Sequence, residues 1–540
     1  MNIKEKIEKW VKETLSTDKV VLVHPKEMKN GDYSFFNHSP GEANDFSRKL
    51  NENKIPEVEE AKTAGSFVNI YLSKQFFTDS VSEINKQKEK FGQNNLLEDQ
   101  KIIIEHTQPN PFKEFHIGHL MNNAVGESIA RTIKANKAEI KTCSYHGDVG
   151  LHVAKWAWAT QKGIAYKEAY VYGDKAYKED EIAKEEIIIL NENIYKGKVS
   201  KVWKICSGGF NKFRNDFELI CQRLGSKFNF QFWESVSGEK GRKIVENHIE
   251  DGIFEQSEGA TVFRGEKHGL HTRVFLNSQD LPTYEAKELG LAEIKQGLFD
   301  YDQSITITAN EQDSFFDVVE VATGEIFPEL KGKLKHLSHG MLKLPTGKMS
   351  SRTGDIITAE SLIEQVKEKV FEKIKDREFS DDEKEKIAEI VAIGAIKYSI
   401  LRQAIGGDII FDFDKSISFE GDSGPYLQYT AVRANSVLQK ALNYTTPKKP
   451  RVPLDTWETT ELERMLYRFP EVVERAAREY APHHIVTYLT ELASAFNNFY
   501  AKYRIIDDPS SAYKLALTQA VSHILQNGLY LLGVKVPERM

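Results

Sequence analysis

KIIIEHTQPNPFKEFHIGHLMNNAVGESIARTIKA, residues 101–135, is three pieces in a fold-determining order. The isoleucine run at 101–105 reads as a buried strand, TQPNPF as a turn, and 116–135 carries apolar residues at helical spacing. A strand, a Pro/Asn turn and a helix form the opening unit of a doubly wound, Rossmann-type parallel sheet that binds nucleotides. His116-Ile117-Gly118-His119 sits where that helix begins. Backbone N–H groups at a helix N-terminus favour phosphate, and Gly118 lets a flat base approach the backbone. His116 and His119 can then donate hydrogen bonds to phosphate oxygens. The plainer alternative is a pair of core histidines on a helix.

Outward from this unit, residues 139–144 (EIKTCS) and 304–308 (SITIT) read as further strands. The charged, largely helical stretch between them, about 170–268, reads as an insertion. On the N-terminal side, GDYSFFNHS (31–39) and SFVNIYL (66–72) mark short mixed segments, and the polar run 86–100 reads as a helix end and linker. From about Asp382, apolar residues recur at helical spacing through five segments, as in IAEIVAIGAIKYSIL and LALTQAVSHILQNGLYLL, so this part reads as a bundle of antiparallel helices. Pro447, Pro450 and Pro453 mark a loop within it.

Composition excludes several classes. The 540 residues need about three cores. No apolar run is long enough for a membrane span. MNIKEKIEKWVKETL is a charged amphipathic start, with neither the apolar core of a signal peptide nor the acid-poor character of a transit peptide, so a cytoplasmic protein is expected. Cys143, Cys206 and Cys221 lie far apart with no Cys-x-x-Cys, which argues against disulfides and structural zinc. The net charge of −7 does not by itself point to nucleic acid, although an acidic protein can gather its basic residues on one face.

A second motif, Gly347-Lys348-Met349-Ser350-Ser351-Arg352-Thr353-Gly354, carries two cations and three hydroxyls between glycines. Such a loop suits the β- and γ-phosphates of ATP as pyrophosphate leaves. His-x-Gly-His followed by Lys-Met-Ser resembles the HIGH and KMSK pair of class I aminoacyl-tRNA synthetases. The strand, Pro-Asn turn and HIGH helix, then YHGDVGLHVA (145–154), PTYEAKELGLA (282–292), NEQDSFF (310–316) and SHGMLKLPTGKMSSRTGDIIT (338–358), resemble the arginyl-tRNA synthetase family. YLQYTAVRANSVL, FNNFYAKYRII and the terminal LLGVKVPERM resemble its helical anticodon-binding domain, and GDYSFFN with AGSFVNIYL its N-terminal domain.

The resemblance implies three domains: an α+β unit touching the tRNA elbow (1–97), a class I catalytic domain (98–380) and an all-helical anticodon-binding domain (381–540). It implies that Glu105, Tyr284 and Glu288 surround a guanidinium, as a planar cation needs edge-on carboxylates and gains from an aromatic face. Asn110 and Gln312 would hold the α-amino and carboxylate end, with His119 beside them. Lys113, His116, His119, Lys348 and Arg352 would do the phosphate work, and Gly118, His339, Met341, Met349 and Ser350 would line the ATP site. Tyr33, Phe67 and Asn69 are the tRNA-facing candidates of the first domain; Tyr429, Arg433, Phe499, Tyr500, Arg504 and Met540 are those of the last. ATP with Mg²⁺, L-arginine and an arginine-accepting tRNA are the implied ligands of a monomer. The family pattern also implies that tRNA binds before activation.

Three positions depart from the pattern. Ser351 stands where KMSK has its second lysine, and Lys113 sits where a substitute lysine belongs; Glu288 replaces an aspartate; Gln108 replaces a small hydroxyl residue before Pro-Asn. The rival readings are a class I synthetase for another amino acid, a small-molecule adenylyltransferase, which needs no helical C-terminal domain, and an inactive binding paralogue.

Overall fold

Strand periodicity in the first hundred residues builds a small α+β unit. Helices α1 (Ile3–Leu15) and α2 (Pro40–Glu52) share one core with an antiparallel sheet of β1 (Tyr33–Phe36), β2 (Val58–Ala64) and β3 (Phe67–Leu72), in the order β1-β3-β2. Ser39 caps α2 by accepting the Glu42 N–H, with Pro40 in the first turn. Helix α3 (Lys74–Gln87) leads towards the second unit. The computed structural model describes residues 3–18, 20–37, 39–196, 200–343, 358–442 and 457–540, with backbone alone over 200–207.

In the second unit, β4 (Lys101–Glu105), α4 (Ile117–Ala135) and β5 (Glu139–His146) follow in turn. Then come α5 (Leu151–Gln161), α6 (Tyr166–Glu179), α7 (Glu181–Tyr195), α8 (Ser200–Leu224), β6 (Phe230–Trp233) and α9 (Glu234–Asn247). A three-stranded antiparallel sheet of β7 (Phe254–Ser257), β8 (Ala260–Phe263) and β9 (Arg273–Leu276) precedes α10 (Tyr284–Leu298). The unit closes with β10 (Gln303–Ala309), α11 (Asp313–Ile326) and β11 (Leu334–His339).

The five central strands run parallel in the order β6-β5-β4-β10-β11. The chain adds strands outward from β4 on one side, then returns to add β10 and β11 on the other. The reversal between β4 and β10 is the switch point at which such sheets bind ligands, beyond their C-terminal ends. Along β4, Ile102 and Ile104 join the core shared with α4, whereas Ile103 joins Tyr145 and Leu291 on the other face. Glu105 shares the face of Ile103 by the same alternation.

The expected helical insertion at 170–268 needs correction. It contains β6, which belongs to the central sheet through pairs such as Ser144 with Gln231, and also β7 and β8. Strands of four residues are too short to show a period of two against helical surroundings.

The remaining elements are a short parallel pair, β12 (Leu342–Lys343) with β13 (Ile409–Ile410), and the helices around it. These are α12 (Ala359–Ile374), α13 (Asp381–Leu401), α14 (Phe413–Ser416), α15 (Gly424–Ala441), α16 (Glu461–Leu466), α17 (Phe469–Arg478), α18 (His483–Lys502) and α19 (Ser511–Leu531). A capping box of Ser380 and Glu383 starts α13. The buried faces of α4, α12, α13, α15, α18 and α19 merge into one core, so the helical bundle is built directly onto the sheet unit. The loop expected around Pro447, Pro450 and Pro453 lies outside the described residues. No helix among the described residues is long and apolar enough to cross a membrane.

Candidate active site

All five strands deliver chemistry at their C-terminal ends: Glu105 and Asn110 after β4, His146 and Asp148 after β5, Glu234 after β6, Gln312 after β10 and His339 after β11. The turn after β4 is the most constrained. Thr107, Gln108 and Phe112 hold left-handed φ angles of +78°, +42° and +68°, a concentration of strain that surrounding contacts must support. Two consecutive buried amides on α4 supply that support. Asn122 accepts the Thr107 N–H at 3.0 Å and donates to the Ile307 carbonyl at 2.8 Å, and Asn123 donates to the Thr107 hydroxyl.

His116 caps α4. Its Nδ1 accepts the Gly118 N–H at 3.1 Å, while His119 Nδ1 accepts the His116 N–H at 3.2 Å. The two rings stack with centroids 3.7 Å apart. A Cβ on Gly118 would lie 2.9 Å from the His116 ring, so the glycine also makes room for this fold-back. Burial, followed by the Lys113 charge, lowers the His116 pKa to about 4; burial and then His116 itself hold His119 well below the usual range. Both rings are therefore neutral at pH 7. Because each Nδ1 accepts a hydrogen bond, the proton of each neutral ring sits on Nε2, which leaves both Nε2–H groups as donors.

Lys113 lies over the Tyr170 ring of α6 at 5.1 Å. Crowding and then the nearby Lys155 lower its pKa. The histidines at 116, 119 and 152 all feel the Lys113 charge, which places it in the same cleft. Lys348, Met349, Ser350, Ser351 and Arg352 lie outside the described residues. The segments flanking them are anchored at the cleft: β12 precedes them, and Thr358 bridges to His116 while the Ala359 N–H bonds the Phe115 carbonyl at 2.8 Å. His339 Nδ1–H donates to the Gly340 carbonyl at 2.7 Å, and its buried Nε2 has no partner among the described residues. Met341 is anchored through its N–H to Asp408 Oδ1 at 2.8 Å.

Buried charges of both signs gather at the strand ends. Glu105 is buried; Gln108 donates to its Oε1 at 2.5 Å, and the Lys295 ammonium lies 2.5 Å from its Oε2. Gln108 in turn accepts from Asn122, so the unusual residue before Pro-Asn orients Glu105. Glu234 pairs with Lys287 at 2.5 Å. Asp148 starts α9 by accepting both the N–H and the hydroxyl of Ser235, at 2.8 and 2.6 Å, which sets where Glu234 points. Glu288 has no ion-pair partner among the described residues. Burial, and then the Glu105 charge, push its pKa up to about 8. Asn110 and Glu234 both approach Gly147, where a Cβ would meet their side-chain oxygens at 2.7 and 3.0 Å.

Tyr284 opens α10 with 59% of its surface exposed, and the Lys287 ammonium lies 5.0 Å from its ring centre. Gln312 is exposed one short turn beyond β10.

The model of "tRNA synthetases class I (R), catalytic domain" matches residues 80–413, and that of the "DALR anticodon binding domain" matches 427–540. The arginine–tRNA ligase of Borrelia hermsii is 30% identical over 510 residues, spanning 89% of this chain and 87% of the relative.

The chain belongs to the arginine–tRNA ligase family.

The Borrelia turicatae ligase is 29% identical over 590 residues, covering 100% of this chain and 99% of its own. The solved arginyl-tRNA synthetase of Thermus thermophilus has the same fold, with a TM-score of 0.82 at 23% identity and full coverage of both chains.

Within this family's arrangement, several expected tRNA-facing residues have no free face. Tyr33 is 0% exposed and donates to Glu471 Oε1 of α17 at 2.5 Å, while Asn69 is buried within β3. Both were expected at the tRNA through the family resemblance alone; strand alternation shows which residues share a face, not which face is covered. Phe67 is 45% exposed and rests edge-on against Phe36 at 5.2 Å. In the helical bundle Phe499 is buried, which corrects its expected stacking role; its helix turns Tyr500 outward instead. Arg433 lies 4.7 Å from the Tyr429 ring and 5.4 Å from that of Tyr500, and donates to Asn497 Oδ1 at 2.5 Å. Arg504 is exposed beside Asp507, and Met540 is half-buried against the main core.

Sequence reading missed Glu234, Lys287, Lys295, Asn122 and Asn123. The signals were present: two amides inside an apolar helix, and Glu288 with Lys295 two helical turns apart on an otherwise apolar face of α10.

Proposed function

We propose that this chain activates L-arginine with ATP and transfers the arginyl group to the 3′ end of its tRNA. One observation carries the reading. Three carboxylates, Glu105, Glu234 and Glu288, meet two lysines, Lys287 and Lys295, at the strand ends. The α-amino and carboxylate charges of an amino acid cancel, so the uncompensated Glu288 calls for one cation on the substrate side chain. A guanidinium, planar with a fork of donors, can meet Glu105 and Glu288 edge-on beneath the Tyr284 ring. Asn110 and Gln312 would hold the α-groups beside His119.

In activation, an arginine carboxylate oxygen bonds to the α-phosphorus as the bond to the β-phosphate oxygen breaks, releasing pyrophosphate. A carboxylate needs no general base at pH 7, so positioning and charge stabilisation are what remain. His116 and His119 would donate through Nε2–H to the phosphates, and Lys113, Lys348 and Arg352 would neutralise the departing charge. Gly118, His339, Met341, Met349 and Ser350 would form the ATP site, with His339 Nε2, unpartnered among the described residues, taking a nucleotide contact. A terminal tRNA hydroxyl then attacks the acyl carbon and AMP leaves. Among the described residues no three His, Cys, Asp or Glu side chains gather to hold a cation, so Mg²⁺ would be carried by the ATP phosphates. Phe67 would meet the tRNA elbow, and Tyr429, Arg433, Tyr500, Arg504 and Met540 the anticodon. The working form is taken as a cytoplasmic monomer.

ATP–pyrophosphate exchange with each of the twenty amino acids, with and without total tRNA, tests the reading. Exchange driven by arginine, and by no other amino acid, only when tRNA is present is expected, and exchange driven by another amino acid would overturn the pocket.

A further inference from the structure

Two cations join the catalytic sheet to the helical bundle. Lys397 of α13 is fully buried, and its ammonium donates to the Leu224 carbonyl at 2.6 Å and the Gly533 carbonyl at 2.8 Å. Arg131, near the end of α4, donates to Glu127 Oε1 at 2.7 Å, the Gly225 carbonyl at 2.8 Å and the Tyr530 carbonyl at 2.8 Å, and lies over the Tyr530 ring at 4.7 Å. These carbonyls belong to just two places, the C-terminal ends of α8 and α19. Both helices end the same way. Gly225 and Gly533 take φ of +74° and +67°, with Ser226 N–H bonded to Cys221 O at 2.9 Å and Val534 N–H to Leu529 O at 2.8 Å. Two negative helix ends thus meet; Arg131 donates into them as a cation, and Lys397, whose pKa burial lowers to about 7, donates into them from its amine.

Next to this joint, Arg223 of α8 donates to Glu389 of α13 at 2.8 and 3.1 Å and to Glu364 of α12 at 2.6 Å. Helix α12 is capped by Thr358, which bridges to His116. One turn of α8 is therefore bonded to the helix that starts at His116, to the helix that follows the Lys-Met-Ser segment and to α13, and Arg131 and Lys397 carry the link on to the end of α19.

Stability alone does not account for Lys397. A buried ammonium without a carboxylate carries a desolvation cost that an apolar side chain of the same length would not. What the amine adds is a steep dependence on position: if α19 shifts from α8, a buried donor loses an acceptor. From His116 to Arg131, α4 spans about 22 Å as a single helix, so movement at the joint is carried to the HIGH residues.

We propose that Arg131 and Lys397 are positioning residues that couple nucleic-acid engagement by the helical bundle to the placement of His116 and His119. The inference rests on the proposed function for its kinetic readout alone. The test compares the wild-type chain with Lys397→Met and Arg131→Lys, using an arginine tRNA and the same tRNA with a substituted anticodon loop. In the wild type, the intact tRNA should protect residues 113–121 from hydrogen exchange and give about tenfold higher kcat for exchange than the substituted one. Both variants should retain tRNA affinity and the KM for ATP, while the protection disappears and the kcat ratio falls towards one. Unchanged protection and ratio in both variants would overturn the inference, as would parallel loss of tRNA affinity and melting temperature. Should Lys397→Met fail to fold, Arg131→Lys, which keeps the charge but removes the fork, decides. Because the exchange protection needs no turnover, a wild type inactive with arginine would defeat the functional reading and still leave the joint tested.

Discussion

At the residue scale, Glu288 makes the sharpest statement. Its folded pKa of about 8 lies above the ordinary carboxylate value, so folding favours the protonated form. The stability of the free chain should therefore fall as pH rises from about 4.5 towards 8, because the native state holds the extra proton there. Binding a guanidinium has the opposite sign, as it needs the anion. Arginine affinity should rise by up to about tenfold per pH unit through that interval, with a proton released on binding at pH 7, and then level off. Calorimetry in buffers of different ionisation enthalpy checks the proton, and Glu288→Gln should abolish it. The HIGH histidines lead to a contrary expectation. His116 is neutral above about pH 4, so kcat should show no histidine titration between pH 6 and 8. His119→Ala should lower kcat by about 10²–10³ through loss of one preorganised donor, and a single-turnover activation assay measures it.

At the element scale, α10 and β1 show how position overrides residue type. Lys295 on α10 is the buried cation that balances Glu105. Replacing it with Met leaves an unpaired buried carboxylate, and a loss of about 3–5 kcal/mol is expected in chemical denaturation. Tyr33 on β1 was expected at a nucleic-acid surface through the family resemblance. Its ring instead packs near Tyr467, and its hydroxyl reaches Glu471, beside the Asp32–Arg464 pair at 2.6 Å. Tyr33→Phe should cost about 1–3 kcal/mol of stability through the unsatisfied Glu471, and leave tRNA affinity unchanged in filter binding at a temperature where the variant is folded.

At the scale of the whole molecule, the sheet unit and the helical bundle share one core, and the α+β unit is tied to the bundle by buried polar contacts. The exposed aromatics Phe67 and Tyr500 lie outside those interfaces, at 45% and 43% exposure. Phe67→Ala and Tyr500→Ala should leave the melting temperature near that of the wild type and each weaken tRNA binding by about 1–3 kcal/mol. A lowered melting temperature with unchanged tRNA affinity would assign those rings to packing instead.

Local chemistry determined much of this protein before any tertiary contact was known. The isoleucine run, the Pro-Asn turn and the glycine between two histidines specify a strand, a loop and a helix N-terminus through propensity, φ restriction and absent side-chain volume, all of which act within a few residues. From them came the doubly wound sheet and the helix N-terminus with its two histidines; Glu105, Asn110 and Glu288 came only from the family resemblance of the motifs. What tertiary structure alone decided is which charges meet and which faces are covered. The pairing of Lys295 with Glu105 and of Lys287 with Glu234, the burial of Tyr33 and Phe499, the strand hidden at 230–233, and the two helix ends held by Arg131 and Lys397 all join segments distant in the chain. Burial and Coulomb energy depend on distances that close only when the whole chain folds, and neither leaves a period in the sequence.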